Sequence, residues 1–144
     1  MAKTYSPDDY VFTIGDLPIT GFAPGTYVKV TRLKENGSIK VGAGGEAVII
    51  ISKDKSARAT FTLLPTSSSN DDLSNLAARF EAQQPRGDGI VTFMGKDLNG
   101  TTNVHGDSAF VEKYPDFEGA DDISNREWSI LIPDMDTFIG GANA

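Results

Sequence analysis

The strongest constraint on the fold is the segment Ala57–Leu63, where apolar and polar side chains alternate without a break. Ala57, Ala59, Phe61 and Leu63 fall on one side, and Arg58, Thr60 and Thr62 on the other. A period of two is that of a strand with one buried face, since a helix would scatter these residues around its axis. Arg126–Ile132 repeats the pattern, with Trp128, Ile130 and Ile132 inward. Further strand-like runs lie at 9–14, 26–32, 89–94 and 101–111, and the short 17–20 contains Pro18, which confines it to an edge. The run 47–51 is continuously apolar and is expected to be buried on both faces; 135–139 reads as a tail. Gly15-Asp16, Lys53-Asp54-Lys55 and Asp97-Leu98-Asn99-Gly100 supply turn signals between runs. With no repeat and no linker, the 144 residues are expected to form one domain, 1–144. The expected class is mainly β, two packed antiparallel sheets in a β-sandwich or partly open barrel.

One helix interrupts the strands, expected over 69–84. Ser69-Asn70-Asp71-Asp72 offers a capping residue followed by acids, which the helix dipole favours in the first turn. Leu73, Leu76, Ala77 and Phe80 make one apolar stripe, and Pro85 stops the helix. Such a helix covers one sheet face, across one end of the barrel.

Between the runs 26–32 and 46–51 lies a thirteen-residue segment, 33–45. A simple reversal needs about two to five residues. The segment has its own turn signal, Asn36-Gly37, and a short alternation, Ile39-Lys40-Val41. This describes a projecting arm whose legs of about six residues could each reach roughly 20 Å. On a small domain without a catalytic cluster, such an arm points to a protein that holds its neighbours.

Catalytic and metal chemistry find little support. Cysteine is absent and His105 is the one histidine, so a transition-metal site would need several carboxylates around it. No Gly-x-Ser-x-Gly elbow accompanies that histidine. The acid pairs Asp8-Asp9, Asp71-Asp72 and Asp121-Asp122 are adjacent in sequence, and such neighbours diverge on a strand or a helix. Gly42-Ala43-Gly44-Gly45 lacks the Lys-Ser/Thr ending of a phosphate loop and is not followed by a helix pattern. No cofactor and no active site are expected.

The first residues have no apolar core of a signal peptide, and no run is long enough to span a bilayer, so a soluble chain without membrane contact is expected. The net charge of −7 is unevenly placed. Residues 1–64 hold eight Lys/Arg against six Asp/Glu, a balance of +2; residues 65–144 hold five against fourteen, a balance of −9. From charge counts alone the acidic loops read first as keeping the chain soluble, while the asymmetry would also help like copies associate head to tail; the acidic balance disfavours a grip on nucleic acid phosphates.

A set of short motifs then becomes recognisable by order and spacing. Tyr5-Ser6-Pro7-Asp8-Asp9, Ile14-Gly15, Ile19-Thr20-Gly21-Phe22-Ala23 and Gly25-Thr26 leading to Val30 and Arg32 open the series. Gly44-Gly45-Glu46, Ser69-Asn70, Asp97-Leu98-Asn99-Gly100, Glu112-Lys113-Tyr114-Pro115, Glu127-Trp128 and Gly140-Gly141 complete it. The chain resembles the tail tube proteins of contractile-tailed bacteriophages. The resemblance implies hexameric rings stacked head to tail into a hollow cylinder inside a contractile sheath. It implies the virion tail as location, after assembly in the host cytoplasm. The implied partners are further copies of itself and the sheath, baseplate and tail terminator proteins, with double-stranded DNA passing through unbound.

On that footing the arm residues Lys34, Glu35, Asn36, Ser38, Ile39, Lys40, Val41, Gly44 and Gly45 are candidate subunit contacts. Arg58, Thr60 and Thr62 are candidates for the lumen or an inter-subunit face, and Asp116, Glu118, Asp121 and Asp122 for an acidic contact loop meeting Lys34 and Lys40. The tube of a related machine, a type VI secretion system or a phage-derived bacteriocin, stays open as an alternative. A β-sandwich ligand-binding module is a weaker one, because alternation puts the single tryptophan inward.

Overall fold

The computed structural model describes residues 2–119, 121–122 and 124–141. A 3-10 turn, Pro7–Asp9, leads into β1 (Tyr10–Ile14) and β2 (Leu17–Pro18); β3 (Val28–Arg32), β4 (Gly37–Val41), β5 (Ala47–Ile51) and β6 (Ala57–Leu63) follow. The helix α1 (Ser69–Ala82) precedes β7 (Val91–Asp97), β8 (Asn103–Lys113), β9 (Arg126–Ile132) and β10 (Met135–Phe138). Eight strands form one antiparallel sheet in the order β2-β1-β7-β8-β9-β6-β3, with β10 also on β8. The second antiparallel sheet is the pair β4-β5.

The large sheet bends at β8, which serves both halves. Its first part pairs with β7 and β10, its second with β9, and register shifts mark both pairings, between Val91 and Phe93 and between Val111 and Lys113. Bulges of this kind turn a sheet sharply. Gly106 is required at the bend: a Cβ there would collide with the Ile132 side chain. The two halves close over a core in which Phe61 of β6 meets Phe12 of β1 at 5.5 Å and Phe93 of β7 at 6.0 Å between ring centroids. Trp128 and Ile130 of β9, Ile14 of β1 and Ala59 and Leu63 of β6 complete it, all essentially buried.

The alternation in β6 and β9 is therefore realised as expected, with Phe61 opposite Trp128 in register. The sheet does not close into a barrel, since β3 pairs only with β6 and the β2-β1 end is not its partner. At one end the segment 19–23 laces the gap. Ile19 N–H donates to Phe12 O at 3.0 Å, Ala23 N–H to Thr62 O at 3.0 Å, and Leu64 N–H to Gly21 O at 2.9 Å.

The helix ends two residues before the expected boundary, at Gln83 in a left-handed conformation. Ser68 precedes its first turn and makes no side-chain cap, in place of the cap expected further on. The polar residues there are used for tertiary contacts instead. Asn70 accepts a hydrogen bond from Trp128 Nε1 at 2.9 Å and donates to Leu64 O at 2.9 Å, and Ser69 Oγ accepts from Thr20 N–H at 3.0 Å. Leu73, Leu76 and Ala77 are buried and Phe80 stacks on Phe110 at 4.5 Å, so the stripe packs onto the sheet. Two other expectations change. Residues 135–138 are not a tail but β10, paired with β8 from Met135–Gly106 to Phe138–Asn103. The run Ala47–Ile51 is not a buried strand but is exposed throughout.

Two predictions follow from the packing. Phe61→Ala removes the ring shared by both halves, and equilibrium urea unfolding should show a loss of about 3–5 kcal/mol. Near the helix end, Arg79 donates to Asp88 Oδ1 at 2.7 Å and holds that carboxyl below its ordinary value. The pair's contribution is thus present at neutral pH and is lost as pH falls through the lowered value. Asp88→Asn should remove that acid-side slope in a pH series of thermal midpoints, while a variant retaining the full slope would assign it to other acids.

Candidate assembly interface

The arm is a β-hairpin, and its register decides its character. Gly37 pairs with Ile51, Ile39 with Ile49 and Val41 with Ala47. Opposed residues in an antiparallel pair share a face, so Ile39, Val41, Ala47, Ile49 and Ile51 make one wholly apolar face. The other face carries Ser38, Lys40, Val48 and Ile50. Ile39, Ile49 and Ile51 are 72%, 76% and 78% exposed, where a core isoleucine would be near zero. A two-stranded hairpin on its own is marginal in water, and an uncovered aliphatic face of this kind marks an interaction surface.

The turn lies at the far end of β4, not at Asn36-Gly37. Gly42 N–H donates to Glu46 O at 2.8 Å and Gly45 N–H to Gly42 O at 3.0 Å, with Gly45 at φ +86°. Asn36 instead belongs to the root, where its carbonyl accepts from Ser52 N–H at 2.9 Å. The expected arm residues Lys34, Glu35, Asn36, Ser38, Ile39, Lys40, Val41, Gly44 and Gly45 are therefore its root, first strand and tip. The second strand, Ala47–Ile51, lies outside the expected arm because an unbroken apolar run looks like a core strand. A usable signal existed in its spacing from 37–41, which fits a hairpin whose loop is Gly-rich.

Arg58, Thr60 and Thr62 sit on the sheet face away from Phe61, beside Thr31 of β3 and Ser129 of β9. Arg58 is held there by Glu112 of β8, with Nε to Oε2 at 2.8 Å and Nη2 to Oε1 at 3.0 Å. Its hydrogen bonds to Glu112 push the guanidinium's already high value further up. The face is mixed: beside these hydroxyls and the paired Arg58 it carries Lys29 opposite Thr60, Leu131 opposite Arg58 and Glu127 opposite Thr62. His105 lies in β8, its Nε2 3.7 Å from Asp107. Asp116, Glu118, Asp121 and Asp122 are all exposed beyond β8, together with Phe117, which is 93% exposed; residues 120 and 123 of that loop lie outside the described residues.

A further surface was not foreseen. Where β3 and the β1-β7 side fail to join, a trough of about 440 Å³ is lined by Tyr10, Phe12, Tyr27, Val28, Val30 and Ile139. It continues past Tyr10, Phe12 and Tyr27 into a second hollow of about 620 Å³ along residues 18–25. Burial, helped by the neighbouring Tyr5 phenol, raises Tyr10, and burial likewise raises Tyr27. Among the described residues no three His, Asp or Glu side chains are placed to hold a metal ion. No helix is long and apolar enough to cross a membrane.

The fold is one found in contractile injection machinery. It aligns with the sheath/tube terminator of the PVC extracellular contractile injection system in its extended state at a TM-score of 0.60, with 13% identity, over 96% of this chain and 99% of the other. The tube terminating cap of the anti-feeding prophage gives 0.59, with 12% identity, over 96% and 94%. A chain of the PVC sheath-tube complex in the extended state gives 0.58, with 16% identity, over 96% and 92%. In sequence the chain is similar to Structural protein ORF10 of Pseudomonas phage KPP10, at 29% identity over 147 aligned residues, 98% of this chain and 84% of that one. No protein-family model matches. The resemblance to phage structural proteins of the contractile-tail kind is borne out on both counts, by sequence and by fold.

Because the hairpin's aliphatic face touches nothing that the core needs, Ile39→Thr with Ile49→Thr, which keeps β-branched residues at this opposed pair, should leave chain stability within about 0.5 kcal/mol. Urea unfolding of the dilute protein checks this, and a large loss would show that the face is covered within its own chain.

Proposed function

We propose that the chain is a non-enzymatic, self-assembling subunit of the inner tube of a contractile phage tail. Copies associate into hexameric rings, and the rings stack head to tail into a conduit through which double-stranded DNA passes. The observation that carries this reading is the uncovered aliphatic face of the β4-β5 hairpin, a surface too apolar to remain in water. The relatives support it: one is a phage structural protein, two structures of the same fold come from an extracellular contractile injection system, and a third is a tube terminating cap of the anti-feeding prophage. Within a ring, unpaired strand edges such as β3 supply backbone hydrogen bonds to the next copy. Between rings, the hairpin docks on a neighbour and its Lys34 and Lys40 are drawn to acidic surface such as Asp116, Glu118, Asp121 and Asp122.

The wall that faces DNA must not hold it. Arg58, Thr60 and Thr62 suit such a lining, because Glu112 occupies the guanidinium and hydroxyls offer phosphate no counterion release. The outer surface meets sheath protein, and the ends of the stack meet baseplate and terminator. In this reading the protein resides in the virion tail after assembly in the host cytoplasm.

A second reading is favoured by two of the structural matches, which are terminating components of tubes. A terminator would form one ring and cap a tube made of another protein. Negative-stain imaging of concentrated protein separates the two: hollow rods mark a tube subunit, and single rings that never stack mark a terminator. Removal of residues 38–44 should leave a folded chain that forms no rods. Strictly monomeric wild-type protein in every buffer, even with an initiator complex, would overturn both readings.

A further inference from the structure

Two carboxylates stand at the trough and its continuation without a cation beside them. Asp97 of β7 is 5% exposed, and its register partner on β1 is Tyr10, so the two side chains share the inward face. Asp8 lines the second hollow, and Tyr10, Phe12 and Tyr27 line both, so one aromatic passage runs between the two acids. Residues 4–28, which build most of this passage, contain no Lys or Arg. Lys96 borders the trough by its place in β7, and alternation turns its side chain to the outer face with Val11. Among the described residues neither Asp8 nor Asp97 belongs to an ion pair. Burial, then the Tyr5 phenol and then the Asp97 charge raise Tyr10; burial, the Tyr5 phenol and the Asp8 charge raise Tyr27. Each acid thus lies within electrostatic reach of one phenol of the passage.

The geometry points to this passage as the binding site of a linear aliphatic diamine or polyamine, with one ammonium group at Asp97, another at Asp8, and the methylenes between them on Tyr10, Phe12 and Tyr27. A buried carboxylate is costly unless donors or a cation meet it. Asp97 Oδ1 has one donor, the Asn99 N–H at 3.0 Å, and an ammonium group supplies further donors together with the opposite charge. Tyrosine faces attract cations, and the same rings cover methylene groups. The alternation of acid, aromatic passage and acid therefore matches a ligand charged at its ends and apolar in its middle. A bare metal ion is a poorer occupant, since among the described residues no three acids converge to hold one. A neutral or anionic ligand would leave both carboxylates unmet. The bound cation also spans the seam between β3 and the β1-β7 side, which no strand pairing closes. The site belongs to the single chain and needs no assembly.

The test is isothermal titration of the dilute full chain with putrescine and spermidine at fixed ionic strength. Binding should saturate at one ligand per chain, and butylamine, charged at one end only, should bind at least about tenfold more weakly than putrescine. Asp8→Asn, a change at an exposed position, and Asp97→Asn, which keeps an acceptor for the Asn99 N–H, should each weaken putrescine at least about tenfold. Glu118→Gln on the acidic loop should leave binding unchanged. Ring-proton resonances of Tyr10 and Tyr27 should shift during the titration, and the thermal midpoint should rise with ligand. Thermal midpoints of the free variants show whether each still folds; if Asp97→Asn does not, Asp8→Asn decides. No saturable binding, butylamine binding equal to putrescine, or binding unchanged by Asp8→Asn would overturn the site. Loss of binding in Glu118→Gln equal to that in Asp8→Asn would also overturn it, and would assign the heat to cations condensing on an acidic chain.

Discussion

Everything in this molecule is organised around the ring of Phe61. It stands on β6, strand-paired to both β3 and β9, and it meets Phe12 and Phe93 from the opposite half of the sheet. A single sheet can fold over on itself only if the residues at the fold fill the space between its halves. Large aromatics do so here, while Ala57, Ala59 and Ala109 allow the strands to approach. The bend at β8 fits this packing, and α1 lies over β8, where Phe80 stacks on Phe110. The trough opens where the aromatic filling runs out and β3 has no further strand beside it.

The hairpin follows a different logic. Its backbone hydrogen bonds are satisfied between β4 and β5, so the pair needs no core to be a sheet. What it lacks is burial. A globular chain hides aliphatic side chains when it can, and this one holds six consecutive-strand aliphatics in water while its interior is closed without them. The burial that stabilises the single chain therefore resides in Phe61 and its neighbours, while Ile39, Ile49 and Ile51 stay exposed and add little to it.

The two faces of β6 illustrate how the same strand serves two purposes. Its inward residues make the core, and its outward residues, Arg58, Thr60 and Thr62, make a surface on which Glu112 occupies the Arg58 guanidinium. In an exposed place the ion pair adds little to stability. Its consequence is electrostatic: it keeps a cation from acting as a phosphate ligand.

Period-two alternation is a local property, so β6 and β9 were legible residue by residue, as were the helix stripe from Leu73 to Phe80 and the buried place of Trp128. The likeness to phage structural proteins was also legible, because it rests on ordered short motifs. Burial is not a local property. Ala47–Ile51 has the composition of a core strand, and only its tertiary position, paired with β4 and with nothing above or below, makes it a surface. The same holds for β10, which is too short to announce itself and exists because β8 offers an edge, and for the capture of Arg58 by a glutamate fifty-four residues away. Sequence determined the strands, the helix and the likeness to a phage structural protein; the bend of one sheet over Phe61 decided which apolar residues it could hide and which stay exposed.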